Sequence, residues 1–158
     1  MEKYCKSCGV PKMLCICPKK KKKSNRTRER EYCWKFIKKM RKDGARAEPI
    51  RDMGIKNPYD GFLYHVYFMP FEAKFKEGGL TYSFELWRRD QPHQHKNLIE
   101  DFQRGAKPFL IVFWKLSGRI HQMVYPIVEK KIYPVRIDYE AMTRIENIYD
   151  LHAALDSI

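Results

Sequence analysis

The sequence predicts a mixed α/β domain in which helices cover a β-sheet, with a short tail in front of it. Residues 108–115, PFLIVFWK, form a continuous apolar run that is typical of a strand buried on both faces. Residues 62–67 and 69–76 form aromatic, alternating runs that indicate two further strands. A helix before them is indicated by four apolar side chains at helical spacing, which are Cys33, Phe36, Ile37 and Met40.

The predicted elements are a helix at 28–42, strands at 45–50, 62–67 and 69–76, a helix at 92–104, strands at 108–115 and 119–126, and one or two short C-terminal helices. Thr27 is the expected N-cap of the first helix, and Asp43-Gly44 ends it. Gly78-Gly79 ends the third strand. Pro92 opens the second helix, and Gly105 stops it. The resulting order, αβββαββα, predicts a mixed sheet with helices packed on it.

The basic residues are concentrated at the start of the chain. The net charge is +13, and residues 1–28 carry ten Lys and Arg against one Glu, which accounts for +9 of it. We expect residues 19–27, KKKKKSNRT, to be a basic linker that binds nucleic acid, because a dense run of like charges stays solvated and attracts polyanions. The candidate contacts are Lys19, Lys20, Lys21, Lys22, Lys23 and Arg26. A solubilising spacer is the alternative interpretation.

The apolar segments are too short for a membrane protein. No stretch approaches the roughly 18 to 20 apolar residues that span a bilayer, and the start, MEKYCKSCG, lacks the pattern of a signal peptide. No lipidation signal or amphipathic helix accompanies the lysine run. We therefore expect an intracellular protein.

Four cysteines cluster in residues 1–18, in a C-x₂-C-x₆-C-x-C arrangement formed by Cys5, Cys8, Cys15 and Cys17. Four thiolates suit tetrahedral Zn²⁺, and the first pair followed by Gly9 resembles a zinc knuckle. We predict a small zinc-binding segment whose folding depends on the metal. A disordered tail with reduced thiols and, less favoured, an iron–sulfur cluster are the alternatives. Cys33 is expected in the core.

Charged residues interrupt the otherwise apolar strand at 69–76. Because side chains alternate along a strand, Glu72 and Lys74 face one side while Phe71, Ala73 and Phe75 face the other. If strands 62–67 and 69–76 pair, Asp60 returns beside Glu72. Two carboxylates there would repel each other unless a cation lies between them, and Mg²⁺ with oxygen ligands is the natural occupant. The alternative is a surface ion pair on a half-exposed strand.

Asp followed by Glu-x-Lys on the next strand is the signature of the PD-(D/E)xK nuclease superfamily. The surrounding sequence resembles RecU-type Holliday junction resolvases, which are bacterial and phage-borne. The matching segments, in the same order and spacing, are Phe71-Glu72-Ala73-Lys74, Ser83-Phe84-Glu85-Leu86, His93-Gln94-His95 and the apolar strand after Gly105. The resemblance covers residues 28–126.

The resemblance implies a restriction-endonuclease-like fold for residues 28–158 and a Mg²⁺- or Mn²⁺-dependent endonuclease that cuts branched DNA as a homodimer. The metal ligands would be Asp60, Glu72 and the carbonyl of Ala73, and Lys74 would position the attacking water. Gln94 matches a glutamine at the start of the next helix, and Gln94-x-x-x-Leu98 fits a pattern of several nuclease branches. The superfamily often adds a carboxylate from the first helix. The helical stripe selects Glu29 for this, with Glu31 less favoured.

One departure concerns the substrate. RecU-type enzymes have a long stalk between the early strands, whereas the connection here spans only residues 51–59. Cleavage of flaps, duplex or restriction-type sites therefore stays an alternative to junction resolution. A non-enzymatic zinc-containing nucleic-acid-binding protein is the alternative from another class. In either case the resemblance implies the cytoplasm of a bacterium or of a phage-infected cell.

Overall fold

The computed structural model describes Tyr4, residues 9–11, Met13, and residues 23–50 and 57–157. Its strands are β1 (Arg46–Pro49), β2 (Gly61–Tyr64), β3 (Phe68–Glu77), β4 (Thr81–Ser83), β5 (Phe109–Leu116), β6 (Arg119–Pro126), β7 (Arg136–Asp138) and β8 (Thr143–Arg144). Its α-helices are α1 (Asn25–Lys42), α2 (Phe84–Asp90), α3 (Pro92–Gln103) and α4 (Ile148–Asp156), and a 3₁₀ turn spans Tyr139–Ala141. Among these helices none is long and apolar enough to cross a membrane.

Across the described residues, the main sheet has six strands in the order β1-β2-β3-β5-β6-β8. β3 pairs with β2 in an antiparallel arrangement and with β5 in a parallel one, so the sheet is mixed, as predicted. A small second sheet pairs β4 with β7. β3 lies in the interior of the main sheet, and the candidate site is built around it.

Helix α1 covers one face of the sheet. Its predicted apolar face is confirmed, since Cys33, Phe36, Ile37 and Met40 are all buried. The predicted N-cap was three residues late, because the Ser24 hydroxyl accepts the hydrogen bond from the Thr27 amide at 3.2 Å. The last three residues assigned to the basic linker, 25–27, are therefore helical. The helix ends where expected, at Asp43, before Gly44 with φ +93°.

Side chains alternate across the central strands, and each face of these strands is buried under its own set of packed elements. On one face, Phe71, Ala73 and Phe75 join a core with α1 and α4, as predicted for these three residues. On the other face, alternate residues of β5 pack against Phe84 and Trp87 of α2 and other side chains. The face of β3 that carries Glu72 is therefore covered rather than half-exposed.

The sequence did not predict β4, α2, β7 or β8. Ser83 caps α2 by accepting a hydrogen bond from the Leu86 amide at 3.4 Å, and the helix lasts only seven residues. Gln91 alone separates α2 from α3. This pair of helices forms the roof over Glu72 and Lys74.

Candidate active site

Asp60 directly precedes β2 in the chain. It lies beside β3 just beyond the last β2–β3 pair, on the side of β3 that β2 no longer covers, which is called the edge of β3 below. Gly61 pairs with Phe71, so the antiparallel register places Asp60 opposite Glu72. The Asp60 amide donates to the Phe71 carbonyl at 3.1 Å, and Asp60 Oδ2 accepts from the Ala73 amide at 2.8 Å. Only glycine fits at Gly61, because a Cβ there would lie 2.7 Å from the Phe71 ring and 2.8 Å from the Glu48 carbonyl oxygen.

Glu72 is a fully buried carboxylate with half of its acceptors in use. Its side chain is 0% exposed, and Oε1 accepts a hydrogen bond from the Lys74 ammonium. Oε2 is buried with no hydrogen-bond partner among the described residues. Burial, and then the negative charge of Asp60, raise the pKa of Glu72 well above its usual range, although Lys74 opposes them. An unsatisfied buried carboxylate oxygen costs folding free energy, so it calls for a functional explanation.

Lys74 is surrounded by acceptors. Its ammonium donates to Glu72 and, at 2.8 Å, to Gln91 Oε1. Burial lowers the pKa of Lys74, but the nearby charges of Glu72, Glu29 and Asp60 outweigh it, and the net pKa is raised. Lys74 is thus held as a cation that can donate hydrogen bonds to a water or to a phosphate oxygen.

Glu29 enters the site from α1. Burial is the main reason that the net pKa of Glu29 is raised to about 7. Lys74, a hydrogen bond with the Phe75 backbone and Arg26 act against this rise, and Asp60 adds to it. Glu29 and Asp60 therefore lie along the same edge of β3. The structure places Glu31 elsewhere, in an ion pair with Lys23 on the outer side of α1.

The backbone carbonyl of Ala73 lies at this edge too. In a strand the N–H and C=O of one residue point to the same side. Because the Ala73 amide donates to Asp60, its carbonyl points to the edge that carries Asp60 and Glu29. The predicted carbonyl ligand is thus oriented toward the predicted carboxylate ligands.

The two glutamines near the site have different partners. Gln94 is 7% exposed, and its Oε1 accepts from Trp87 Nε1 at 3.3 Å, so it ties α3 to α2 beside the site. The contact to Lys74 comes instead from Gln91, which sequence reasoning missed. Gln91 occupies the N-cap of α3 without making a side-chain cap bond. A glutamine where Ser, Thr, Asn or Asp is preferred, directly before Pro92, was the available signal.

The donor set fits a hard divalent cation, since it offers carboxylate oxygens, a carbonyl and Glu72 Oε2, which has no partner within the described part of the chain. Within the residues that the structure describes, no three His, Cys, Asp or Glu side chains are already gathered as a metal-ligand cluster. One oxygen of Glu72 accepts a hydrogen bond from Lys74, and one oxygen of Asp60 accepts a hydrogen bond from the Ala73 amide.

Most of the residues predicted to bind zinc or DNA in the tail lie outside the part of the chain that the structure describes. The zinc-site cysteines, Cys5, Cys8, Cys15 and Cys17, and the lysines Lys19, Lys20, Lys21 and Lys22 lie outside the described residues. Lys23 and Arg26 are described and exposed around the start of α1. The zinc site and the lysine contacts stay predictions.

No protein-family model matches the chain, and no curated protein does. Among solved structures, it is similar to the 1.6 Å structure of Archaeoglobus fulgidus Hjc, a Holliday junction resolvase from an archaeal hyperthermophile. The match has a TM-score of 0.51 and 16% sequence identity, and covers 78% of this chain and 98% of that one. The likeness confirms the predicted fold class, a mixed sheet flanked by helices.

Proposed function

We propose that this protein is a divalent-metal-dependent endodeoxyribonuclease of the PD-(D/E)xK type that hydrolyses phosphodiester bonds in branched recombination or repair intermediates. One observation carries the proposal: Glu72 is fully buried beside Lys74, with Oε2 unpartnered among the described residues, at an edge shared with Asp60 and Glu29. An ordinary structural ion pair does not account for the unused oxygen.

Each residue then has a defined task. Asp60, Glu72, Glu29 and the Ala73 carbonyl would hold the metal. Mg²⁺ or Mn²⁺ bound there would supply Lewis acidity toward the phosphate and acidify a bound water. Lys74 orients the attacking water and offers positive charge to the phosphate. Gln91 fixes the Lys74 ammonium, and Gln94 holds the roof through Trp87.

The charge distribution supports DNA as the substrate. Helix α1 carries eight Lys and Arg against two Glu, a net +6, on the helix that also supplies Glu29. Lysine and arginine contacts to phosphates give affinity that does not depend on sequence. The zinc segment with Lys19–Lys23 would add a second basic element that holds DNA arms.

Branched DNA is proposed from two sources, the RecU-type sequence resemblance and the fold likeness to an archaeal Holliday junction resolvase. Paired cuts across a junction need two active sites, and a C₂ homodimer supplies them. The short connection at 51–59 keeps flap or duplex cleavage as the competing substrate assignment. A binding-only role is the alternative from another class, because the net +6 charge of α1 would hold DNA without any cleavage.

The experiment is a cleavage assay with the full chain, Mg²⁺ or Mn²⁺, and labelled four-way junction, flap, duplex and single-stranded DNA of the same length. Asp60→Ala and Glu72→Ala serve as inactive controls. Symmetric nicks in the junction that both variants lose would support a resolvase. Cleavage of other forms would keep the nuclease and discard the junction. Tight binding without cleavage in either metal would leave the binding-only role.

A further inference from the structure

An aromatic side chain stands exposed on the most basic helix of the protein. Trp34 lies in the middle of α1 and is 42% exposed, although tryptophan carries a large apolar surface. Arg30 and Arg26 precede it at four-residue intervals, which places the three side chains along one stripe of the helix. They line a shallow cavity of about 440 Å³ together with Thr27 and Glu31.

The charge of this cavity suits an anion. Glu31, its acidic member, is neutralised by its ion pair with Lys23. The two arginines remain exposed on a helix with a net charge of +6, formed by eight Lys and Arg against two Glu. A flat aromatic surface beside cationic side chains is the combination that binds unpaired nucleotides, because the base stacks on the ring while phosphates contact the arginines.

The stripe also starts near the candidate active site. Glu29 faces the edge of β3 and lies directly before Arg30 in the chain. Trp34 is five residues after Glu29. At 1.5 Å per residue, the axial separation of Glu29 and Trp34 is about 7.5 Å. The two side chains are also about 140° apart around the helix, so a strand held at the site has to pass around α1 to reach the stripe.

We propose that Arg26, Arg30 and Trp34 form a binding site for an unpaired nucleotide of the DNA strand that leaves the active site. This inference rests on the proposed function for its ligand, DNA. It adds a preference that the catalytic residues do not supply: substrates with single-stranded or unstacked bases next to the cut bind more tightly than continuous duplex.

The protein contains its own probe for this site. Of its three tryptophans, Trp87 is 4% exposed and Trp114 is 0% exposed, so an aqueous quencher such as acrylamide reports on Trp34. The full chain is titrated with oligo-dT and with a blunt duplex of equal length, without Mg²⁺ so that no cleavage occurs. We expect oligo-dT to quench the emission and to protect Trp34 from acrylamide, and the duplex to do so less.

Variants make the assignment specific. Trp34→Ala should bind oligo-dT about tenfold more weakly or worse, whereas Trp34→Phe, which keeps a ring, should retain most of the affinity. Arg30→Ala should lose more affinity than Lys96→Ala, a matched charge removal on α3 where Lys96 is exposed. Unchanged melting temperatures for the variants exclude loss of folding as the cause.

Four results would overturn the inference. Equal binding of oligo-dT by Trp34→Ala and wild type is one, and equal protection of Trp34 by duplex and oligo-dT is another. Shielding of Trp34 from acrylamide in the free full chain is the third, because the protein's own N-terminal residues would then cover it. Failure of every DNA form to bind would instead remove the proposed function. Cleavage by Trp34→Ala at the wild-type rate and affinity would remove only this site.

Discussion

Two glutamates on β3, Glu72 and Glu77, are five residues apart, and both bind lysine, yet their environments are opposite. Glu77 is exposed, with Oε1 accepting from Lys115 at 2.8 Å and Oε2 from the Arg28 guanidinium. These hydrogen bonds, Lys115 first, lower its pKa to about 2. Glu72 is fully buried, pairs with one cation, has one oxygen without a partner among the described residues, and has a raised pKa.

The difference lies in what covers each carboxylate. Glu77 sits at the end of β3, where solvent and two cations can satisfy both oxygens. Glu72 lies beneath α2 and α3, where its second oxygen finds no partner among the described side chains. A lysine near a glutamate is therefore uninformative by itself. Burial with incomplete hydrogen bonding is what separates a candidate catalytic pair from a surface ion pair.

The largest expected effect comes from exchanging the two glutamates for glutamine in turn. Glu72→Gln should slow single-turnover cleavage about a hundredfold or more, because a charged metal ligand is lost. Glu77→Gln should leave the rate within a few-fold of wild type. Equal losses of rate in the two variants, with intact folding by circular dichroism, would contradict the assignment of a catalytic role to Glu72 alone.

A second matched pair lies on α1. Glu29→Gln should reduce cleavage about ten- to a hundredfold, since the residue faces the edge of β3 with Asp60. Glu31→Gln should have little effect, because Glu31 pairs with Lys23 on the outer side. The measurement is again the single-turnover rate at saturating protein. A larger loss of cleavage rate for Glu31→Gln would mean that Glu31, and not Glu29, is the carboxylate that α1 supplies.

Gln91 offers a test in which activity should change much more than stability. Gln91→Ser should gain an α3 cap worth about 1 kcal/mol, which offsets the loss of the Gln91–Lys74 hydrogen bond, so the melting temperature should change by less than about 4 °C. The shorter side chain cannot reach Lys74, so kcat should fall about tenfold while KM changes little. Gln103→Ser, at the exposed end of α3, is the control. Unchanged kcat in Gln91→Ser would assign Gln91 a structural role only.

The smallest effect concerns acid stability at Glu77. Its folded pKa, about 2, lies below the ordinary 4.5, so its contribution is present above pH 4.5 and is lost as the pH falls toward 2. Glu77→Gln should therefore lower the melting temperature slightly at pH 7 and low salt, with a difference that shrinks at pH 3 and in 1 M NaCl. A difference independent of pH and salt would contradict the ion-pair interpretation.

The sequence predicted the parts of the fold that have strong periodic signals. The buried face of α1 and the strands β3, β5 and β6 followed from apolar spacing, and the position of Asp60 followed once β2 and β3 were paired. The short α2 could not be predicted, because seven residues hold too little periodic pattern.

The features of the site that depend on packing between distant segments could not be predicted from the sequence. The burial of Glu72 depends on α2 and α3 closing over β3. The contact from Gln91 to Lys74 depends on the break between those helices, so Gln94 was chosen on resemblance, whereas Gln91 makes the contact. The sequence found the charged residues, and packing decided which of them are incompletely satisfied.

The most direct test of the metal site is Mn²⁺ binding to the full chain, measured by electron paramagnetic resonance. We expect wild type and Glu77→Gln to bind at least one Mn²⁺ per chain, displaced by Mg²⁺, and Glu72→Gln to lose this binding. Equal Mn²⁺ stoichiometry and affinity in Glu72→Gln and wild type would contradict the account, because the buried glutamate would then hold no metal.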